Sequence, residues 1–146
     1  MEIVKSILLV DDDKDDQEFF VDALNKIENA VLFGIANNGK EVLEILLNAI
    51  ILPSIIFMDI NMPIMTGIEC LTEMKKHSAL KAIPVIMLTT SFYQIEIVKK
   101  LGANAFLTKM ANGRTLHDQL EQMIKIDFMN DSSLAEQTFI NNAHKF

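Results

Sequence analysis

The sequence lacks the features that mark several large classes of protein. Its lone cysteine, Cys70, cannot form an internal disulfide, and no basic segment followed by an apolar one opens the chain as in a signal peptide. We therefore expect a cytoplasmic protein. The uncharged stretch from Ile45 to Met58 contains Asn48 and Pro53 and is too short to cross a bilayer. We expect no membrane-spanning segment and no membrane partner.

Runs of basic residues and zinc-site patterns are also missing. The formal net charge is −7 and the pI is about 4.9, so the protein as a whole would repel a phosphate backbone. We therefore expect no direct role with nucleic acid. The three histidines have neither the spacing nor the cysteine partners of a zinc site.

What the chain does have is enough apolar sequence for one globular domain. It has 146 residues, half of them hydrophobic, which suffices for a single core. We expect residues 1–126 to form this domain. Residues 127–146 form a polar C-terminal extension, in which Ser133 and Glu136 have the spacing of a capping box and allow a short extra helix.

Apolar runs and helical patterns alternate five times along the chain. The predicted strands are 6–10, 31–36, 55–58, 85–88 and 105–108. The residues that predict the helices are Phe20, Ala23, Leu24 and Ile27; Val42, Leu43, Leu46 and Leu47; Ile68, Leu71 and Met74; Ile97, Val98 and Leu101; and Leu116, Leu120, Met123 and Ile124. This alternation predicts an α/β fold, a doubly wound five-stranded parallel sheet of order 2-1-3-4-5 with five helices.

The third predicted strand is the centre of this pattern. Its four apolar residues, Ile55 to Met58, show no alternation, which is typical of a strand covered on both faces. Asp59 ends the run. A carboxylate at the carboxyl end of a central parallel strand lies where such sheets bind ligands. The plainer interpretation is that Asp59 only begins a solvated loop.

Polar residues also follow the other strands that end on this edge. Asp11 and Asp12 follow the first strand, Thr89 the fourth and Lys109 the fifth. Carboxylates within ~4 Å repel by ~4 kcal/mol per pair at an effective dielectric of about 20, so positive charge must be present. Lys109 supplies one charge, and an all-oxygen site suits Mg²⁺ for the remainder.

Such a cluster has the parts needed to accept a phosphoryl group. Asp59 would be the nucleophile, Lys109 and Mg²⁺ would neutralise charge on the phosphoryl oxygens, and Thr89 would hydrogen-bond one of them. Each part also has a purely structural interpretation. A strand-end threonine is most often a turn residue, a lone lysine is usually solvated, and an acidic run before a helix usually meets the helix dipole.

At these positions the sequence resembles the receiver domains of two-component response regulators. The resemblance covers about residues 6–126. The matching residues, in chain order, are Val10-Asp11-Asp12, Asn38-Gly39, Asp59-Ile60-Asn61-Met62-Pro63 with Gly67, Thr89, and Lys109 after Gly102-Ala103.

The resemblance implies roles for these residues. Asp59 would take a phosphoryl group from a histidine kinase or histidine phosphotransfer protein. Mg²⁺ would be bound by Asp12, Asp59 and the backbone carbonyl of Asn61, with Asp11 assisting through water. Thr89 and Phe106 would move together on phosphorylation and change the surface formed by helix 4, strand 5 and helix 5.

Two residues depart from the family pattern. Met110 follows Lys109 where the family usually has a cis proline, and a cis non-proline bond costs ~2.5–4 kcal/mol, so we expect a trans peptide there. Phe106 lacks the hydroxyl of the family's common tyrosine, which leaves any switch motion to packing alone.

We therefore expect a stand-alone receiver, not an enzyme, that signals by contact with a downstream effector protein in a phosphorelay. A homodimer through helix 4, strand 5 and helix 5 is consistent with the resemblance. One alternative is an unphosphorylated receiver-like docking module. A haloacid-dehalogenase-type phosphatase needs a second acid where Asn61 stands, and a flavodoxin-like FMN carrier would have its phosphate repelled by the acidic run 11–16.

Overall fold

The computed structural model describes residues 3–89, 92–109 and 113–128. Within these ranges, five parallel strands form one sheet in the order β2-β1-β3-β4-β5, which confirms the predicted doubly wound topology. The elements are β1 (Lys5–Val10), α1 (Lys14–Leu24), β2 (Ala30–Ala36), α2 (Gly39–Asn48), β3 (Ile55–Asp59), α3 (Gly67–Lys76), β4 (Val85–Thr89), a 3-10 turn (Phe92–Gln94), α4 (Ile95–Lys100), β5 (Ala105–Thr108) and α5 (Gly113–Lys125).

The register of the sheet aligns the strand ends that carry polar residues. Val10 of β1 pairs with Met58 of β3, and Thr89 of β4 pairs with Thr108 of β5. Every residue of β3, β4 and β5 is buried, as expected for strands covered by helices on both faces. The residues that follow Val10, Met58 and Thr108 therefore emerge together at one edge of the sheet.

Side-chain caps begin the helices at that same edge. Asp13 accepts a hydrogen bond from the backbone N–H of Asp16 at 3.0 Å and so caps α1, while Asn38 caps α2 in the same way. Asp15 and Asp16 lie in the first turn of α1, where the positive end of the helix dipole favours carboxylates. The predicted position of acidic residues at the start of this helix is thus confirmed for Asp15 and Asp16.

The apolar residues that predict helices include one that lies outside its helix and two that lie within their helices but on the exposed side. α1 ends at Leu24, and Ile27 is buried in the turn that follows. Leu47 of α2 is 56% exposed and Ile97 of α4 is 49% exposed. In α4 the inward residues are Ile95 and Val98 instead, because the short helix is rotated so that Ile97 faces solvent.

Some predictions fall on parts of the chain that the structure does not describe. The Lys109–Met110 peptide and the proposed extra helix in residues 127–146 lie outside the described residues, apart from 127 and 128.

Gly102 has a φ of 99°, which confirms its predicted left-handed position after α4. Among the helices described, none has the length and apolar character needed to cross a bilayer.

Candidate functional site

Lys109 lies at the centre of a cluster of carboxylates at the carboxyl edge of the sheet. Its Nζ atom is 2.9 Å from Oδ2 of Asp11, 2.9 Å from Oδ2 of Asp16 and 3.0 Å from Oδ2 of Asp59. These contacts join the ends of β1, β3 and β5 to the first turn of α1. The sequence predicted the approach of Asp11 and Asp59 to Lys109, and the structure brings them together.

Asp11 and Asp59 are both buried and each has a further hydrogen bond. Oδ1 of Asp11 accepts from the backbone N–H of Asp13 at 3.0 Å, and the backbone N–H of Asn61 donates to Asp59. The side-chain amide of Gln17 donates to the main-chain carbonyl of Asp11 at 2.6 Å. The backbone around both carboxylates is thereby held in place.

Burial and ion pairing shift the pKa values of these groups in opposite directions. Burial raises the pKa of Asp11 and that of Asp59, and the hydrogen bonds from Lys109 offset only part of this effect. Burial by itself would lower the pKa of Lys109, but its hydrogen bonds to Asp11, Asp16 and Asp59 outweigh burial and raise it. Lys109 therefore keeps its positive charge, and three carboxylates surround that single charge.

Three carboxylates at this edge lie close enough together to hold a metal ion. One oxygen from each of Asp11, Asp12 and Asp59 lies within 4.8 Å of the others. Asp12 is exposed, whereas Asp11 and Asp59 are buried, so the group opens to solvent on one side. Carboxylate oxygens are the donors that hard divalent cations prefer. The donor set and its uncompensated charge both fit a divalent cation.

Thr89 ends β4 next to this cluster, whereas Phe106 lies further back in the neighbouring strand β5. Thr89 is the last residue of β4, is buried, and accepts a hydrogen bond at its backbone carbonyl from the N–H of Lys109 at 2.8 Å. Phe106 pairs with Met87 in the sheet and is fully buried. Thr89 is thus tied directly to Lys109, and Phe106 is part of the core.

The loop after Asp59 is tightly folded. The N–H of Gly67 donates to the carbonyl of Ile60 at 2.8 Å, and a Cβ atom at Gly67 would clash with the carbonyl oxygen of Asp59. Ile64 has a φ of 69° and is exposed, an unusual conformation for a β-branched residue. Glycine at 67 is therefore required by the close approach of α3 to the end of β3.

Asp16 is the member of the cluster that the sequence did not identify. It was interpreted only as part of an acidic run at the start of a helix, and its contact with Lys109 joins residues 93 positions apart. The available signal was its place in the first helical turn, close in sequence to Asp11 and Asp12. That signal is shared by Asp15, so the sequence could not tell which of the two reaches Lys109.

Comparison with known proteins places the chain in a family. The model of the response regulator receiver domain matches residues 7–121. Response regulator Rcp1 of Synechocystis sp. is 37% identical over 71 residues, which are 47% of this chain and 48% of that protein. The sensor histidine kinase CheAY of Helicobacter pylori is 28% identical over 83% of this chain and 15% of its own length. The matches thus span about half or less of these curated relatives.

Solved structures agree with this assignment. The phosphorylated cyanobacterial phytochrome response regulator RcpA has a TM-score of 0.73 at 31% identity, over 82% of this chain and 90% of that chain. The Mn²⁺-bound form of response regulator Rcp1 has a TM-score of 0.73 at 29% identity, over 86% and 96% of the two chains. From its sheet order, its acidic cluster around Lys109 and these matches, the chain belongs to the response regulator receiver domains of two-component systems.

Proposed function

We propose that this receiver accepts a phosphoryl group on Asp59 from a histidine kinase or a histidine phosphotransfer protein, in a Mg²⁺-dependent reaction. The observation that carries the proposal is the position of Asp59. Its carboxylate lies at the end of a central strand, 3.0 Å from the Lys109 ammonium and within 4.8 Å of the nearest oxygens of Asp11 and Asp12. A nucleophile, a fixed cation and a set of oxygen ligands are the parts that phosphoryl transfer requires.

The reaction exchanges one bond to phosphorus for another. A carboxylate oxygen of Asp59 forms a bond to the phosphorus of the donor phosphohistidine, and the P–N bond breaks with its electron pair returning to the ring. Because the other ring nitrogen of the phosphohistidine carries a proton, the histidine leaves as the neutral imidazole. Lys109 neutralises charge on a phosphoryl oxygen, and the Thr89 hydroxyl donates a hydrogen bond to another. The protein holds these groups in position and no proton from a side chain is consumed.

Asp12, Asp59, the backbone carbonyl of Asn61 and, through water, Asp11 would hold the Mg²⁺. When bound, the ion supplies the positive charge that the incoming phosphoryl oxygens need. Asp11 and Asp59 are buried beside one another, so this cation would also relieve the repulsion between them. The Mn²⁺-bound form of Rcp1, a solved relative, supports a divalent cation in this class of site.

The output would be a change in protein contacts. Thr89 moves towards the phosphoryl group, the buried ring of Phe106 repacks, and the face formed by α4, β5 and α5 changes. A downstream effector protein or a second copy of the chain would bind this face, in the cytoplasm. The acidic net charge of −7 argues against direct contact with nucleic acid.

Phosphotransfer profiling tests this proposal. The donors are the histidine kinases of the source organism, purified and autophosphorylated, and its phosphotransfer proteins, phosphorylated by those kinases. Each donor is mixed with the wild type or with Asp59→Asn, with and without Mg²⁺. We expect at least one donor to label the wild type only when Mg²⁺ is present and to leave Asp59→Asn unlabelled. Equal labelling of both proteins would overturn the assignment of Asp59. Labelling of neither would favour a docking module.

A further inference from the structure

We infer that a cavity between α1, β5 and α5 is a binding site for a small neutral molecule that carries a carboxamide or lactam group on a flat ring. The inference goes beyond the proposed function and does not depend on phosphorylation of Asp59. It rests on the size of the cavity, on its apolar wall and on the buried amide of Gln119, which the proposed function does not use.

The cavity has the size and the wall of a site for a ring compound. Its volume is about 230 Å³, whereas an apolar cavity of roughly 150 Å³ is large enough to bind benzene. Apolar side chains from three strands and both helices form much of its wall, namely Leu9, Phe20, Leu88, Leu107 and Leu116. Phe19 also lines the cavity and is 54% exposed, so the cavity reaches the surface. A benzene ring with one small polar group would therefore fit.

The side-chain amide of Gln119 is the polar feature of this wall that lacks a partner. Gln119 lies on α5, lines the cavity and is only 5% exposed. Within the described residues, neither its Oε1 atom nor its Nε2 atom has a hydrogen-bond partner. Buried polar groups in native proteins nearly always have a hydrogen bond, because leaving one unmade is destabilising. A donor and an acceptor thus lie side by side in the wall, both able to bind a ligand.

A carboxamide or a lactam is the complement of this amide. Gln119 presents an N–H donor next to a carbonyl acceptor. A primary carboxamide or a lactam presents the same two groups in the reverse order, so it can satisfy both atoms of Gln119 at once. A ketone of the same shape would accept from Nε2 but would leave Oε1 without a donor. The wall therefore distinguishes these two classes of ligand.

The charged residues of the wall favour a neutral ligand. Asp11, Asp16 and Lys109 all line the cavity, and each of the two carboxylates lies 2.9 Å from the lysine ammonium. An anionic ligand would approach both carboxylates, and a cationic ligand would compete with Lys109 for them. Either ligand would lose its hydration without gaining a free counter-charge. An uncharged aromatic amide such as benzamide avoids this loss.

Binding of benzamide to the full chain tests the inference, with acetophenone as the matched probe. Acetophenone has the same shape but carries a methyl group where benzamide carries its NH₂ group. In NMR titrations without a phosphoryl donor, we expect the wild type to bind benzamide with a dissociation constant of about 1 mM or lower, and acetophenone about tenfold more weakly. The methyl signals of Leu9, Leu107 and Leu116 should show contacts with the benzamide ring.

The variants Gln119→Leu and Gln122→Leu separate the buried amide from the rest of α5. Each replaces a glutamine of this helix by an apolar residue of similar size, but Gln122 is exposed. We expect Gln119→Leu to lose the preference for benzamide over acetophenone, because the ligand amide then has no partner in the wall. Gln122→Leu should keep the tenfold preference of the wild type.

Several results would overturn the inference. A cavity that holds only water would give a wild type that binds neither probe at millimolar concentration. Equal binding of the two probes, or contacts of benzamide away from the three leucines, would show that Gln119 does not select the ligand, as would a preference that survives in Gln119→Leu. If Gln119→Leu does not fold, the two probes and the methyl contacts of the wild type decide. None of these results bears on phosphorylation of Asp59.

Discussion

The Nζ atom of Lys109 lies 3.0 Å from Oδ2 of Asp59, although 50 residues separate them in the chain. The pairing of β3 with β4 and of β4 with β5 brings the two strand ends to one edge of the sheet. Both groups are largely removed from water, so the charge of each is poorly hydrated and is stabilised in part by the other. The site is therefore part of what determines the stability of the domain.

The first prediction concerns the removal of this cation. Lys109→Met leaves Asp11 and Asp59 buried without their partner, and loss of one member of a buried ion pair is strongly destabilising. We expect the free energy of unfolding to fall by about 3 kcal/mol, measured by urea denaturation at neutral pH without divalent cations.

Lys125→Met is the control for this variant. Lys125 pairs with Glu121 on the surface of α5 and its side chain is 73% exposed, so its loss should change stability by less than about 1 kcal/mol. Similar losses in the two variants would show that the cluster around Lys109 has no special energetic role.

The second prediction is stabilisation by Mg²⁺. An ion that binds only the folded state at a hundred times its dissociation constant raises the free energy of unfolding by about 2.7 kcal/mol. Asp12→Asn removes one of the three grouped carboxylates and should abolish most of this gain. Asp22→Asn, which removes an exposed charge further along α1, should retain it. Thermal unfolding of the three proteins with and without Mg²⁺ is the measurement, and an equal response of all three would contradict the assignment.

The third prediction concerns pH. Burial raises the pKa of Asp59 above its ordinary value of 3.8. At pH values between 3.8 and this raised pKa, the folded state therefore binds more protons than the unfolded state. The metal-free wild type should therefore lose stability as pH rises through this window. Asp59→Asn does not titrate, so its stability relative to the wild type should increase from about pH 4 to pH 7. A difference that is constant over this range would refute the prediction.

The fourth prediction concerns the loop after Asp59. Gly67→Ala places a Cβ atom against the backbone at Asp59 and Ile60, so the loop must shift, and we expect a loss of about 1–3 kcal/mol in the free energy of unfolding. Gly34→Ala in β2 is the control, because its nearest neighbour would be Leu8 Cδ1 at 3.9 Å. Equal effects of the two substitutions in chemical denaturation would show that close packing at Gly67 is not what excludes a side chain.

The sheet and most of the site could be predicted from the sequence. Buried strands require unbroken apolar runs, and parallel strands joined by right-handed crossovers place the residues after Val10, Met58 and Thr108 on one edge. Asp11, Asp59 and Lys109 follow directly from that rule. Their roles in phosphoryl transfer stay proposals.

The remaining features depend on how the elements pack. Whether Asp15 or Asp16 reaches Lys109 is decided by the rotation of α1 against β5, and both residues satisfy the helix dipole equally well. In α4 the apolar residues allow more than one inward face in a helix of only 6 residues, so Ile97 could not be separated from Ile95 before packing was known.

The measurement that tests the account most directly is the intact mass of the protein after incubation with acetyl phosphate and Mg²⁺, followed by peptide mapping. We predict a gain of one phosphoryl group, located on Asp59, that does not occur when Mg²⁺ is chelated before the donor is added and that is absent from Asp59→Asn. A wild-type protein with no gain in mass, or with the phosphoryl group on another residue, would contradict the role given to Asp59.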